Sequence, residues 1–296
     1  MASLRDHGFV IVTGAGGHIG HEVCRLLRNA ESKFLPVDVD PGRATNIIEC
    51  DLTRKDHVRR LFQSHPVRAV IHLAGILPTA FHSKPFAGVD LNLMGSFELL
   101  RQAVNAQVKR FVFASSRSVY GSSFTPRPLS ELDPAAPDEP YGASKRVVEL
   151  VGETLAGSAI EFVSLRISRV VGPGIKKTAS PWRSQIFELS RERDYIQIPF
   201  APEAVLPLVH VEDVARMLVT VAETAKLGSP IYNAPAEMWE AKYLKELIEK
   251  NRRVRVELGP EGVHDGPLCD GSRFTEEFAF QLRGLRERLL VCQNED

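Results

Sequence analysis

The stretch from Phe9 to Gly20, F-V-I-V-T-G-A-G-G-H-I-G, constrains the fold more than any other part of the chain. Phe9 to Val12 are apolar and β-rich, the pattern of a central parallel strand buried on both faces. Gly14, Gly17 and Gly20 follow at three-residue intervals and read as a tight turn from that strand into a helix. The first glycine permits the turn, the second lets a pyrophosphate approach the backbone, and the third lets the new helix pack close to the strand. The start of the helix offers N–H groups to an anion. The next strand, Phe34 to Val37, ends in Asp38, at the distance where a dinucleotide fold places the carboxylate that accepts from the ribose hydroxyls. An anion there repels a 2′-phosphate, so NAD is expected over NADP. Arg43 reads as a solvated loop charge and Asp40 as a turn residue before Pro41-Gly42.

At 296 residues the chain is long enough for one large α/β domain or for a nucleotide domain with a smaller lobe. Acidic and basic residues balance at 37 each, which gives no large electrostatic bias toward nucleic acid or an anionic membrane. Four widely spaced cysteines, Cys24, Cys50, Cys269 and Cys292, form no C-x-x-C pair and point to reduced thiols; Cys24 and Cys50 read as packing residues. No metal site is expected. The first strand begins by Phe9, leaving no room for a signal peptide, and no apolar run spans a bilayer, so a soluble cytoplasmic protein is expected.

Further βα-type units follow. Asn46 to Cys50 is a short apolar run ending at Asp51-Leu52, before a polar helix from about Arg54 to Ser64. Asp51 suits either an adenine contact or the N-cap of that helix. The strand through Arg68 to Leu73 runs into Ala74-Gly75, small residues across which a cofactor can lie, and His72 within it reads as a core histidine with a satisfied hydrogen bond. Phe86 to Ala106 has helical apolar spacing with Asn92 on its buried side. A strand from Arg110 to Ala114 leads to Ser115-Ser116, and a proline-dense surface loop from Pro126 to Pro140 leads to a helix near Tyr141.

That helix carries Lys145 one turn after Tyr141, on the same face. Tyrosine is a poor base at neutral pH, but a neighbouring ammonium and an oxidised nicotinamide both favour its phenolate. Tyr141, Lys145 and the strand-end Ser116 are therefore the catalytic candidates, with Asn92 in support. After a strand from Ile160 to Leu165, a glycine- and proline-bearing loop containing Lys176-Lys177 opens the second lobe. Helices are expected at Arg183 to Glu192, Val211 to Lys226 and Glu240 to Asn251, with short strands at Tyr195 to Ile198, Ile231-Tyr232 and Val254 to Leu258. Gly259 to Gly271 reads as a turn-rich connection.

Together these residues resemble the extended short-chain dehydrogenase/reductases, the NAD-dependent epimerase/dehydratase family, over nearly the whole chain. T-G-A-G-G-H-I-G, H-L-A-G at His72 to Gly75, S-S-R-S-V-Y-G at Ser115 to Gly121 and P-Y-G-A-S-K at Pro140 to Lys145 are similar to its motifs, as are L-V-H-V-E-D-V-A and Y-N-A-P. The resemblance implies a Rossmann-type doubly wound parallel sheet with a smaller C-terminal substrate-binding lobe. The cofactor part is expected over 1–166 with part of 207–233, and the substrate lobe over 167–206 and 234–296. It implies NAD contacts at Gly14, Gly17, His18, Ile19, Gly20, Asp38, Asp51, Leu52, Leu73, Ala74, Gly75, Asn92, Tyr141, Lys145 and Ser168. Substrate contacts are expected from Ser116, Ser118, Tyr141 and Arg169.

Two departures bear on the substrate. Arg169 and Val171 replace the asparagine and tyrosine usual in nucleotide-sugar epimerases, and Leu206-Pro207 stands where an arginine commonly serves the diphosphate. Other runs look like the L-threonine 3-dehydrogenase and sugar-acid dehydrogenase branches. The reading is hydride transfer at a secondary alcohol of a small polar, anionic substrate, with nucleotide-sugar 4-epimerisation as the alternative and a non-catalytic NAD sensor as a third possibility. Arg169 or Lys176-Lys177 would hold a carboxylate, or Arg169 pairs with Glu212 or Asp213. Members commonly dimerise through the Asn92 and Tyr141 helices, so a homodimer is expected, with Leu93, Phe97, Val147 and Val148 either at the interface or in the core.

Overall fold

A computed structural model describes residues 8–41, 46–122, 125, 127–157, 159–174, 180–188, 195–251, 254–261 and 266–291. Arg43, Lys176-Lys177, Cys292 and residues 189–192 lie outside the described residues; the helix expected from Arg183 to Glu192 ends at Gln185.

Seven strands form a parallel sheet: β1 (Phe9–Thr13), β2 (Phe34–Asp38), β3 (Ile48–Glu49), β4 (Val67–His72), β5 (Arg110–Ser116), β6 (Glu161–Ile167) and β10 (Ile231–Asn233). Their order, β10-β6-β5-β4-β1-β2-β3, steps outward from β1 in both directions, so the chain reverses direction between β1 and β4. This doubly wound arrangement opens a crevice at the carboxyl ends of β1 and β4. One face of the sheet is covered by α1 (His18–Asn29) and α8 (Val211–Glu223), the other by α2 (Lys55–Ser64), α5 (Ser96–Asn105) and α6 (Pro140–Leu155).

Burial of apolar side chains holds these layers together. In α1, Val23, Cys24 and Leu27 face the sheet, and each fully buried aliphatic residue contributes about 1.5–3 kcal/mol. The α8 helix starts at His210, whose ring nitrogen accepts from the Glu212 N–H, and its first turn carries Glu212 and Asp213, which suits the positive end of the helix. Arg110 closes the other end of α8, donating to the Val221 carbonyl at 2.8 Å.

The smaller lobe has two further sheets. One is three-stranded, with β9 (Val205–His210) between β7 (Arg169–Val171) and β11 (Glu237–Glu240); the other pairs β8 (Tyr195–Phe200) with β12 (Arg255–Glu261). Trp182 in α7 (Trp182–Gln185), Ile198, Leu206 and Leu244 in α9 (Ala241–Asn251) share one core. Strands β7, β9 and β11 are additions to the sequence reading, and β12 extends into the stretch expected to be turns.

The expected helix from Phe86 to Ala106 is wound in three pieces: α4 (Pro85–Val89), a π turn (Asp90–Gly95) and α5. A short α3 (Pro78–Ser83) precedes it, and α10 (Ser272–Phe278) and α11 (Leu285–Val291) close the described chain.

Candidate functional site

The glycine turn shows separable backbone constraints. Gly14 is in the left-handed region at φ +68°, and a Cβ there would stand 2.8 Å from the Ala74 nitrogen. A Cβ on Gly20 would stand 2.0 Å from the Gly14 carbonyl oxygen, so the third glycine brings the helix close to the turn itself rather than to the strand. Gly17 is exposed, has an extended conformation and starts α1 with no side-chain cap. Asp38 stands over the turn, its carboxylate accepting from the Gly16 N–H at 2.9 Å and from the Asp40 N–H at 3.2 Å.

A buried polar chain links this turn to the π turn. The Ser96 hydroxyl donates to the Asn92 carbonyl at 2.7 Å, which leaves its lone pair for His72 Nε2–H at 2.9 Å. His72 Nδ1 is then the acceptor of the Thr13 hydroxyl at 2.7 Å, and Thr13 Oγ1 in turn accepts from the Leu73 and Ala74 N–H groups. Burial, with the charge of Lys145, pushes the His72 pKa down to about 3. His72 is thus a satisfied core histidine, as the sequence reading has it.

The Asn92 side chain is committed to backbone: its amide oxygen accepts from Ile76 N–H at 2.7 Å and its amide nitrogen donates to the Ile76 carbonyl at 2.9 Å. It holds the segment after β4 in place. A Cβ on Gly75 would fall 3.2 Å from that amide oxygen and 3.7 Å from Lys145 Nζ, so Gly75 passes between the two side chains.

Tyr141 and Lys145 lie on one face of α6, which begins with Pro140 at its first position and is capped by Glu139 accepting from the Tyr141 and Gly142 N–H groups. Gly142 allows the helix to rest on the short 3₁₀ turn Arg117–Tyr120, since a Cβ there would stand 2.3 Å from the Ser118 carbonyl oxygen. This contact brings the Tyr141 side chain into hydrogen bonding with Ser116. Lys145 Nζ donates to the Ala114 carbonyl at 2.9 Å and lies 4.7 Å from the centre of the Phe113 ring and 5.7 Å from that of Tyr141.

The electrostatics differ from the sequence expectation. Burial pushes the Tyr141 phenol up to about 12, against the Ser116 hydrogen bond that lowers it, and Lys145 is not among the groups that shift it. Burial brings Lys145 down to about 8, opposed by the charge of Glu149. Desolvation therefore sets both directions, giving a neutral phenol beside an ammonium at pH 7.

Ser118 turns its N–H to Ser116 Oγ at 3.1 Å. Asp51 accepts from the Thr53 N–H at 2.9 Å and hydroxyl at 2.7 Å, and Arg54 occupies the N-cap of α2, so the capping alternative for Asp51 gives way to a local turn. A Cβ on Gly95 would meet Leu52 at 3.2 Å, so that glycine lets the π turn approach the strand end after β3. Ser168 is buried between β6 and β7 with an unpartnered hydroxyl. Arg169 lies over the Phe200 ring at 5.1 Å, while Glu212 pairs with Arg25, Arg283 and Arg288 and Asp213 with Arg216 and Arg288, which replaces the expected ion pair. Cys24 and Cys50 are buried, their thiols pushed up to about 11, in keeping with packing roles.

The sequence reading passes over Glu149 and Arg166, a fully buried ion pair at 2.7 Å behind Lys145. Its signal was a carboxylate at i+4 from the lysine on the inward face of α6 and an arginine inside an apolar strand.

The residues fit a dinucleotide: an uncapped helix start behind an exposed glycine, a carboxylate beyond the turn, and an orphaned buried hydroxyl at Ser168. With the tyrosine and lysine at the end of β5, they define a Rossmann fold built around a nucleotide crevice. The chain belongs to the NAD dependent epimerase/dehydratase family, whose model matches residues 10–234. It is 32% identical over 181 residues to the UDP-glucose 4-epimerase of Erwinia amylovora, an alignment covering 55% of this chain and 53% of that protein. The chain thus spans about half the length of that relative. It is similar to MoeE5 solved in complex with UDP-glucose and NAD, with 26% identity and a TM-score of 0.80 over 97% of this chain and 98% of that one. The L-threonine dehydrogenase of Phytophthora infestans shares the fold, with a TM-score of 0.86 at 21% identity, over 97% of this chain and 99% of that one. Among the described residues, no helix is long and apolar enough to cross a membrane.

Proposed function

We propose that this chain is an NAD-dependent enzyme that transfers hydride at a secondary alcohol of a sugar nucleotide, in the manner of a UDP-glucose 4-epimerase. The observation that carries the chemistry is the cluster of Tyr141, Ser116 and Lys145 beside Gly75 at the end of β5. NAD is the cofactor, and when bound it supplies the hydride acceptor. Gly14, Gly17, His18, Ile19 and Gly20 would hold its pyrophosphate, Asp38 its ribose and Lys145 the nicotinamide ribose. With the cationic nicotinamide bound, the neutral phenol of Tyr141 would give up its proton, and the resulting phenolate would take the proton from the alcohol oxygen as the carbon–hydrogen bond breaks and return it when the ketone is reduced. Ser116 orients that oxygen. Asn92 keeps the Gly75–Ile76 wall in register and so positions the site without touching the reacting atoms.

The relatives favour the nucleotide sugar over the small acid that the sequence reading put first. The second reading rests on β9, where Leu206 and Pro207 are buried and bring no cation toward a diphosphate. We further propose that residues 1–166 with part of 207–233 hold the cofactor and that 167–206 and 234–296 select the substrate. The outer face of α6 supports a homodimer: Val147, Leu150 and Val151 on α6 and Met94 on the π turn are exposed, whereas Val148 is core and Leu93 and Phe97 pack against the core.

A thermal-shift panel at constant NAD tests the substrate, comparing UDP- and dTDP-sugars with aldonates, uronates and threonine, since stabilisation follows occupancy. UDP-glucose should raise the melting temperature and interconvert with UDP-galactose. Stabilisation by the acids alone, lost in Arg169→Ala, would replace this reading with the small-acid dehydrogenase.

A further inference from the structure

The last three residues of β5 each hold one turn of α6. Ser116 hydrogen-bonds Tyr141, the Ala114 carbonyl accepts from Lys145 Nζ, and the Ser115 hydroxyl donates to Glu149 Oε1 at 2.6 Å. Tyr141, Lys145 and Glu149 follow at four-residue spacing, so one helix face is fastened at three successive levels. Glu149 has no solvent exposure, and its two oxygens accept further bonds from Arg166 Nε at 3.0 Å, Arg166 Nη2 at 2.7 Å and Arg146 Nη1 at 3.0 Å. Arg166 lies opposite Ser115 in the β5–β6 register and spends its remaining Nη1 on the Tyr120 hydroxyl at 2.8 Å.

A buried ion pair of this kind is weak support for stability alone, because neutral side chains of similar volume commonly serve as well. What a neutral pair lacks is the negative charge one turn from Lys145. We propose that Glu149 is a positioning residue of the catalytic face: a buried counter-charge, anchored by Arg166 and Ser115, that keeps Lys145 an ammonium and fixes Tyr141 against Ser116. This rests on the Tyr141–Lys145 reading above, but not on the identity of the substrate.

Among the described residues, the charged and titratable groups around Lys145 are Tyr141 and Glu149 on its own helix, with Arg146 beside it pairing with Glu149, His72 on β4, and Arg166 on β6 behind Glu149; the π turn brings the uncharged Asn92 amide. His72 is neutral, since its pKa lies at about 3, and Tyr141 is neutral below about 12. Glu149 therefore supplies the charge that favours the ammonium. A lysine is charged below its pKa, so removing the anion lets Lys145 lose its proton at lower pH.

The test is the titration of Lys145 itself, read from the ε-carbon signal of 13C-lysine-labelled full-length protein and assigned with Lys145→Arg. In the wild type the midpoint should lie near 8. The neutral pair Glu149→Gln with Arg166→Gln should fold, bind NADH, and move the midpoint down by about one pH unit. Glu149→Asp, which keeps the charge, should restore it. A folded double variant with a wild-type midpoint would overturn the proposal, and so would a double variant that does not fold, because the pair would then be a requirement of the fold. Neither result depends on turnover, so failure of the substrate assignment would show separately as unchanged titrations with no activity on UDP-sugars.

Discussion

Gly17 and Gly20 sit in one motif three residues apart, yet substituting alanine for each should damage different properties. In Gly20→Ala the new Cβ would stand 2.0 Å from the Gly14 oxygen and 2.8 Å from both the Gly14 carbonyl carbon and Ala15 Cα, all backbone atoms that cannot rotate aside. Overpacking of this kind costs about 3 kcal/mol at its upper end, against about 1 kcal/mol recovered from the better helix propensity of alanine. The net of about 2 kcal/mol corresponds to a fall of about 3 °C in Tm for a chain of this size. In Gly17→Ala the Cβ meets only the Gly14 oxygen, at 3.1 Å, and the backbone at φ −77° and ψ 171° suits any residue. Loss of the glycine N-cap should cost only about 0.5–1 kcal/mol. The same methyl, however, fills the space through which a pyrophosphate reaches the helix start, so NAD should bind at least about tenfold more weakly, about 1.4 kcal/mol. Differential scanning fluorimetry without ligand and NAD titration by calorimetry separate the two effects. Wild-type NAD affinity in Gly17→Ala would refute the placement of the pyrophosphate over that glycine, and an unchanged Tm in Gly20→Ala would refute the close approach of helix and turn.

Replacing Asp38 with serine removes both an acceptor and a charge that repels a 2′-phosphate, so the ratio of NAD to NADP affinity should shrink by about tenfold or more; a ratio equal to the wild type's would place the ribose elsewhere. Tyr141→Phe should reduce kcat by at least about a hundredfold with NADH affinity little changed, and turnover at the wild-type rate would remove the tyrosine from the proton path. Leu150→Glu puts a charge into the exposed stripe of α6, and light scattering should show the variant as a monomer where the wild type is a dimer; equal masses for both would count against that face as the interface.

The nucleotide half was legible in the sequence because each signal there is local. The apolar run of β1, three spaced glycines and a strand-end Asp38 fix the geometry within thirty residues of chain, and Y-x-x-x-K places two side chains on one helix face regardless of what surrounds them. The small sheet was not legible for an equally physical reason. Its central strand β9 contains Pro207, which has no N–H to give a ladder and argues against a strand. The structure accommodates it because β7 pairs with β9 only from Leu208 onward, so Pro207 faces β11 on one side and lies beyond the end of β7 on the other. The direction of the Tyr141 shift was also hidden, since it depends on burial, which sequence spacing does not report. Glu149 and Arg166 are 17 residues apart, and although each shows an inward place on its own element, nothing local pairs the two until α6 is folded onto β6.

The π turn at Asp90–Gly95 places Asn92 by its own extra width, so a change of length inside it displaces that side chain even where the helix on either side keeps its register. Deleting one residue from it would let the segment wind as ordinary α-helix, a locally smoother solution that leaves α4 and α5 nearly in their present register but moves the side chains inside the turn around the axis. Asn92 would then leave Ile76, and the segment carrying Gly75 past Lys145 would lose its anchor. Drift toward a more regular helix and retention of the cofactor wall pull in opposite directions here, so single-residue deletions within 90–95 should be purged by selection even where they raise helicity. Helix regularity is a misleading guide to fitness at this point of the chain.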